Sequence, residues 1–182
     1  MEKKSAIPMY FIFTGGPGSG KSSVLETLKN KYVVVSESGR EVIQEEVANG
    51  GRALPWENKS LFRDKMMARD IEKYIKAKNE KFLVLFDRGI LDSLGYSKLE
   101  NISYPDGLKE KVKLFPYQSR VFIFPPWKQI YVKDEERKQS FDEAKRTFEA
   151  IKNVYAEFGY SLIEVPTGTI KERVEFIESH LV

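Results

Sequence analysis

The run Gly15-Gly-Pro-Gly-Ser-Gly-Lys-Ser22 constrains what this chain can fold into more than any other stretch. It fits the pattern G-x-x-x-x-G-K-[ST]. It also stands between an apolar run, Tyr10-Phe-Ile-Phe13, and a segment that puts Val24, Leu25 and Leu28 on one helical side. Glycines let successive backbone N–H groups turn inward around an anion, and a helix N-terminus adds its positive end. Such a loop needs a strand before it and a helix after it. It predicts that Gly15, Gly16, Pro17, Gly18, Ser19 and Gly20 wrap phosphate oxygens and that Lys21 reaches the β- and γ-phosphates. Ser22 would offer a hydroxyl to magnesium, with Ser23 beside it. The pattern points to a nucleoside triphosphate and is silent about the reaction.

Four more apolar runs bounded by turn residues read as strands: Tyr32-Val-Val-Val35, Phe82-Leu-Val-Leu-Phe86, Val121-Phe-Ile-Phe124 and Leu162-Ile-Glu-Val165. Three of the five runs are apolar without alternation, as expected of parallel strands covered on both faces. Helical spacing links Leu61, Phe62, Met66, Ile71, Tyr74 and Ile75 within 56–78, and Phe141, Ala144, Phe148, Ile151, Tyr155 and Phe158 further on. Two capping-box patterns predict helix starts. Ser38 with Glu41 precedes Val42, Ile43 and Val47, and Thr169 with Glu172 precedes an inward row of Ile170, Val174, Ile177 and Leu181. Strand and helix alternate five times. The expected fold is therefore α/β, a three-layer sandwich with a five-stranded parallel sheet in one domain spanning 1–182. The loosest stretches are Gly50-Gly51, 101–107 and 125–138.

Bulk properties exclude several classes. There are no cysteines, which removes disulfides, thiolate nucleophiles and thiolate metal sites. Lys+Arg 30 against Asp+Glu 27 leaves a formal charge of +3 with no basic stripe interleaved with aromatics, so no nucleic-acid partner is expected. No apolar run suits a signal peptide or a membrane span, and a cytoplasmic protein with no membrane partner is the expectation.

The third predicted strand runs straight into Asp87-Arg88-Gly89. In a parallel sheet the carboxyl ends of the strands face the ligand crevice. There an acid can hold a magnesium-bound water or take a hydroxyl proton, and an adjacent arginine can hold that acid ionised and contact phosphate. A structural ion pair capping the next helix is the competing account of the same two residues.

Taken in order, four segments resemble the short P-loop domains catalogued among AAA-type ATPases. They are the phosphate loop, Glu37-Ser-Gly-Arg40, Asp87-Arg88-Gly89 leading to Asp92-Ser93-Leu-Gly-Tyr96, and Tyr160-Ser-Leu-Ile-Glu-Val-Pro166. That family is similar to the ribosylnicotinamide kinases and, more distantly, to thymidylate and deoxyribonucleoside kinases. The resemblance covers nearly the whole chain and implies a kinase-like P-loop fold. It also implies an ATP- and magnesium-dependent phosphotransferase acting on a small acceptor such as a nucleoside, nucleotide or related metabolite. A small P-loop ATPase, a nucleotide-dependent switch and a binding module stand as alternatives.

The resemblance also implies roles. Glu37 becomes a candidate base toward an acceptor hydroxyl, with Asp87 its competitor. Arg40 becomes a contact to acceptor or phosphate, placed beside the phosphate loop. Ser22 and Asp87 would hold the metal, and Arg88 and a lid arginine, Arg137, would stabilise transferred charge. Thr167 and Gly168 fall in a loop that packs on adenine in similar kinases. Trp56, Arg69 and Tyr96 are candidate acceptor contacts. One departure is clear: the helix that often offers a glutamine to the base in deoxynucleoside kinases reads Phe62-Arg-Asp-Lys-Met-Met-Ala-Arg69, without one.

Overall fold

The computed structural model describes residues 9–80, 83–131 and 140–181. In chain order the elements are β1 Tyr10–Gly15, α1 Lys21–Leu28, β2 Val33–Val35, α2 Ser38–Asn49, α3 Lys59–Ala77, β3 Val84–Asp87 and α4 Ile90–Glu100. There follow α5 Leu108–Val112, β4 Arg120–Phe124, a short 3-10 turn at Lys128–Ile130, α6 Phe141–Glu157, β5 Ser161–Glu164 and α7 Ile170–Glu178. Among the described residues the sheet has five strands, all parallel, in the order β2-β3-β1-β4-β5.

Alternation along the central strands divides the core into two faces. Tyr10 and Ile12 of β1, Val84 and Phe86 of β3, and Val121 and Ile123 of β4 point one way, against Tyr74, Leu94, Ile151 and Tyr155. Phe11, Phe13, Leu85, Phe122 and Phe124 point the other way, against Val24, Leu25 and Leu28 of α1 and Ile177 of α7. Each fully buried ring of this kind contributes about 2–3 kcal/mol. The central strands β1, β3 and β4 are buried on both faces, while the edge strands β2 and β5 are only partly covered, although β2 too is an uninterrupted apolar run.

Several expectations differ from the structure in instructive ways. Ser38 is not the cap of α2; Glu37 occupies that position, without a side-chain cap bond. The Ser38 hydroxyl instead donates to Asp70 Oδ1 on α3, at 2.5 Å. Glu41 accepts from Ser36 and Lys73 rather than closing a box. The Thr169–Glu172 box is present, and Ser140 with Glu143 forms another at the start of α6. Val47, Leu61, Ile75 and Ile170 face outward despite their helical spacing. None of the helices among the described residues is long and apolar enough to cross a membrane.

Candidate functional site

Register brings the chemistry to one edge of the sheet. Phe13 of β1 pairs with Asp87 of β3, so the end of β3 emerges beside the loop that follows Gly15. Lys21, at the first position of α1, forms an ion pair with Asp87. The lysine is 5 % exposed, so its charge is compensated inside the protein. Ser22 and Ser23, one and two residues on, are exposed and leave the helix start open to solvent.

The loop is shaped by its neighbours. Ser19 Oγ donates to the Gly16 carbonyl at 3.0 Å. Gly18 has φ 70, a left-handed conformation that costs glycine nothing. A methyl there would lie 2.5 Å from Tyr131 Cδ2, so the ring after the 3-10 turn packs directly on the loop.

Arg88 is the second organising residue. It follows the last residue of β3 with φ 66, a conformation uncommon for a side chain of this size and found most often where structure over-determines the backbone. Its N–H donates to the Phe13 carbonyl at 2.9 Å, which closes the ladder between β1 and β3. Its guanidinium lies 3.3 Å from Glu37 Oε1 and 3.1 Å from Asp92 Oδ1. Burial alone would lower its basicity, but Glu37, Asp92 and Asp87 outweigh that and hold the charge firmly. For Glu37 burial opposes ionisation, yet Arg88, Lys21 and Arg40 together keep the carboxyl below the usual carboxylate range.

Asp92, which in the sequence is only the first residue of Asp92-Ser93-Leu-Gly-Tyr96, is the anchor of this group. It accepts from Thr14 Oγ1 at 2.5 Å, Tyr155 OH at 2.7 Å and the Gly89 N–H at 2.9 Å, besides Arg88. Four donors on one buried carboxylate join β1, β3, α4 and α6 around the arginine. In sequence the two stand only four residues apart, with Arg88 before α4 and Asp92 in its first turn.

Asp70 was missed as well. It interrupts the stripe Phe62, Met66, Tyr74 on α3 and lies 9 % exposed beneath Ser38. Burial pushes its carboxyl up to about 7, the Ser38 hydroxyl opposes that, and the charges of Asp92 and Glu37 reinforce it.

The remaining candidates fall into three groups. Glu37 and Arg40 stand at the start of α2, whose first residues are Ser38 and Gly39; β3 lies between β2 and β1, and Glu37 meets the centre through its ion pair with Arg88 and the charge of Lys21. Tyr96, on α4, meets the Phe62 ring edge-on at 5.4 Å and has a buried hydroxyl with no partner among the described residues. Thr167 and Gly168 lie between β5 and α7, with Gly168 at φ 151. Away from this group, Arg69 pairs with Glu45 and Glu41 and ties α3 to α2. Trp56 is 67 % exposed in the connection between those helices. Arg63 spends its donors on Asp64, Ser97 and the Ser103 carbonyl. Arg137 and most of the basic part of 125–138 lie outside the described residues.

A parallel sheet in this strand order, with a phosphate loop leaving its central strand, is the kinase-like P-loop architecture. The chain belongs to the AAA domain family, whose model matches residues 10–173. A search of curated proteins found no match. Among solved structures the fold is similar to deoxyadenosine kinase from M. mycoides with products dCMP and a flexible dCDP bound. That match has a TM-score of 0.69 and 16 % identity, covering 94 % of this chain and 98 % of the other. Thymidylate kinase from Ehrlichia chaffeensis is similar with a TM-score of 0.61 and 19 % identity, covering 97 % of this chain and 100 % of the other. Thymidylate kinase from Candida albicans follows at 0.58 and 15 %, covering 97 % and 92 %.

Proposed function

We propose that the chain is an ATP- and magnesium-dependent phosphotransferase, acting as one domain on a small acceptor such as a nucleoside, nucleotide or related metabolite. The observation that carries this reading is the Glu37–Arg88 ion pair, set across from the Lys21–Asp87 pair. A hydrolase needs only the second pair and an ordered water. A part-buried arginine shared with a second acid builds a wall for an acceptor. The kinases of the same fold with nucleotides bound support the reading.

In this assignment the loop amides and Lys21 hold the phosphates of ATP. Ser22 and Asp87 would hold magnesium, offering the hydroxyl and carboxylate oxygens that it favours. Bound there, magnesium would neutralise charge on the phosphate oxygens. Lys21 must leave Asp87 to reach a phosphate, which frees the carboxylate for the metal. Glu37, ionised at neutral pH, takes the acceptor's hydroxyl proton, and Arg88 stabilises charge on the transferred group. Arg40 and Tyr96 are assigned to the acceptor end and Thr167 and Gly168 to the adenine end. Arg137 is assigned to a closing segment at 125–138.

The test is a γ-phosphate transfer screen over nucleosides, nucleotides and vitamin precursors, read by mass spectrometry. The expected result is one acceptor class that gains a phosphoryl group. ATP loss at one rate with every acceptor and with none would replace this reading by a hydrolase.

A further inference from the structure

Arg173, on α7, belongs to none of the groups above. It is 3 % exposed, yet among the described residues no carboxylate pairs with it. Its Nη2 donates to the Ser19 carbonyl at 3.0 Å, in the middle of the phosphate loop. Its Nε–H is buried with no partner among the described residues. The guanidinium lies 4.9 Å from the centre of the Phe124 ring and 5.6 Å from that of Trp127, at the start of the segment that follows β4. Gly20, at φ 75, leaves room for it: a methyl there would lie 2.6 Å from Nη1.

A buried charge without a counter-charge is costly, and proteins ordinarily pair it. Two aromatic faces and one carbonyl offset part of that cost. Burial lowers the basicity of this group, with no acid opposing the effect. The open side of the loop is where an anion is expected, so the missing counter-charge is the ligand's, acting across the loop.

We infer that Arg173 is a buried counter-charge and positioning residue for a polyphosphate, acting from behind the phosphate loop through Ser19 and Gly20 without contacting the ligand. The inference rests on the reading of that loop as a polyphosphate site. It adds that α7 contributes affinity in proportion to ligand charge. Trp127, stacked on the same guanidinium, then links the segment after β4 to the filling of the loop.

The experiment measures binding of ATP, ADP and inorganic tripolyphosphate by calorimetry to the wild type, Arg173→Gln and Arg173→Lys. Arg173→Gln should weaken ATP and tripolyphosphate by roughly tenfold, and ADP by less, as loss of one charge at this depth requires. Arg173→Lys should restore most of the loss, which a purely packing role would not do. Wild-type binding of neither ATP nor tripolyphosphate would remove the loop reading itself. Binding by wild type with unchanged affinity in Arg173→Gln would overturn this inference alone, as would a loss that lysine does not restore. A second measurement needs no variant. The Nε–H resonance of Arg173 should shift on addition of tripolyphosphate to the wild type, and a resonance that stays put contradicts the proposal.

Discussion

Arg88 Nε stands 3.3 Å from Glu37 Oε1, so the side chain that follows the third strand reaches the acid at the start of the second helix. This contact ties the end of β3 to the start of the helix that follows the edge strand β2.

Glu37→Gln keeps the shape and removes the proton acceptor. Transfer should fall by roughly 10²- to 10⁴-fold in kcat, with the KM for ATP changed by less than about threefold. The folded carboxyl is held below its ordinary value, so it contributes stability above the unfolded pKa and loses it as pH falls through the folded one. Rate against pH measured on wild type should show an acid limb that lies below the ordinary carboxylate range.

Asp92→Asn should cost on the order of 3 kcal/mol, read from urea unfolding, because it leaves Arg88 with one acid fewer inside the protein. Activity per folded molecule should fall too, since the arginine loses an anchor. Full activity in the variant would show that Glu37 alone holds Arg88.

Asp70→Asn should stabilise. The folded carboxyl titrates near 7, well above its unfolded value near 4, so the wild type loses stability as pH rises from ~4 to ~7 and no further above that. The gain from the amide should be near zero at pH 4 and on the order of 3 kcal/mol at pH 8. Chemical unfolding at the two pH values tests this, and an equal effect at both would refute it. The groups around the acid are Ser38, Asp92, Lys73, Glu37 and Tyr117, so Lys73 and Glu37 variants would move the window.

Two glycines separate backbone strain from function. Gly18→Ala puts a methyl against Tyr131 at a left-handed position and should weaken ATP binding by about tenfold or more. Gly50→Ala has the same hand of backbone, φ 64, but meets nothing within 4 Å. It should cost about 1 kcal/mol in stability and leave binding unchanged by calorimetry.

The strands were legible because each is a short apolar run, and their observed ends lie within two residues of the expected ones. Two helices, α4 and α5, had no strand-and-helix pattern to announce them. Ile90 through Gly95 are all buried, so α4 lacks a polar face and its periodicity vanishes; α5 has only five residues. The phosphate loop, Asp87 and Arg88 could be found because their chemistry is local in sequence. Asp70 and Asp92 draw their meaning from partners 32, 63 and 78 residues away, which a single sequence does not reveal. The same long-range bond explains why Ser38 looked like a cap and is not one.

The strand order sets a distance that no side chain can alter. Glu37 leaves β2 and the phosphate loop leaves β1, with β3 between them. Neighbouring strands are held about 4.8 Å apart by their hydrogen bonds, so the ends of β1 and β2 are about 10 Å apart as a matter of backbone geometry. The sheet is a ruler. Substitutions on α2 and α3 can reshape the surroundings of Glu37, but the span from there to the phosphate loop is written into the ladder itself.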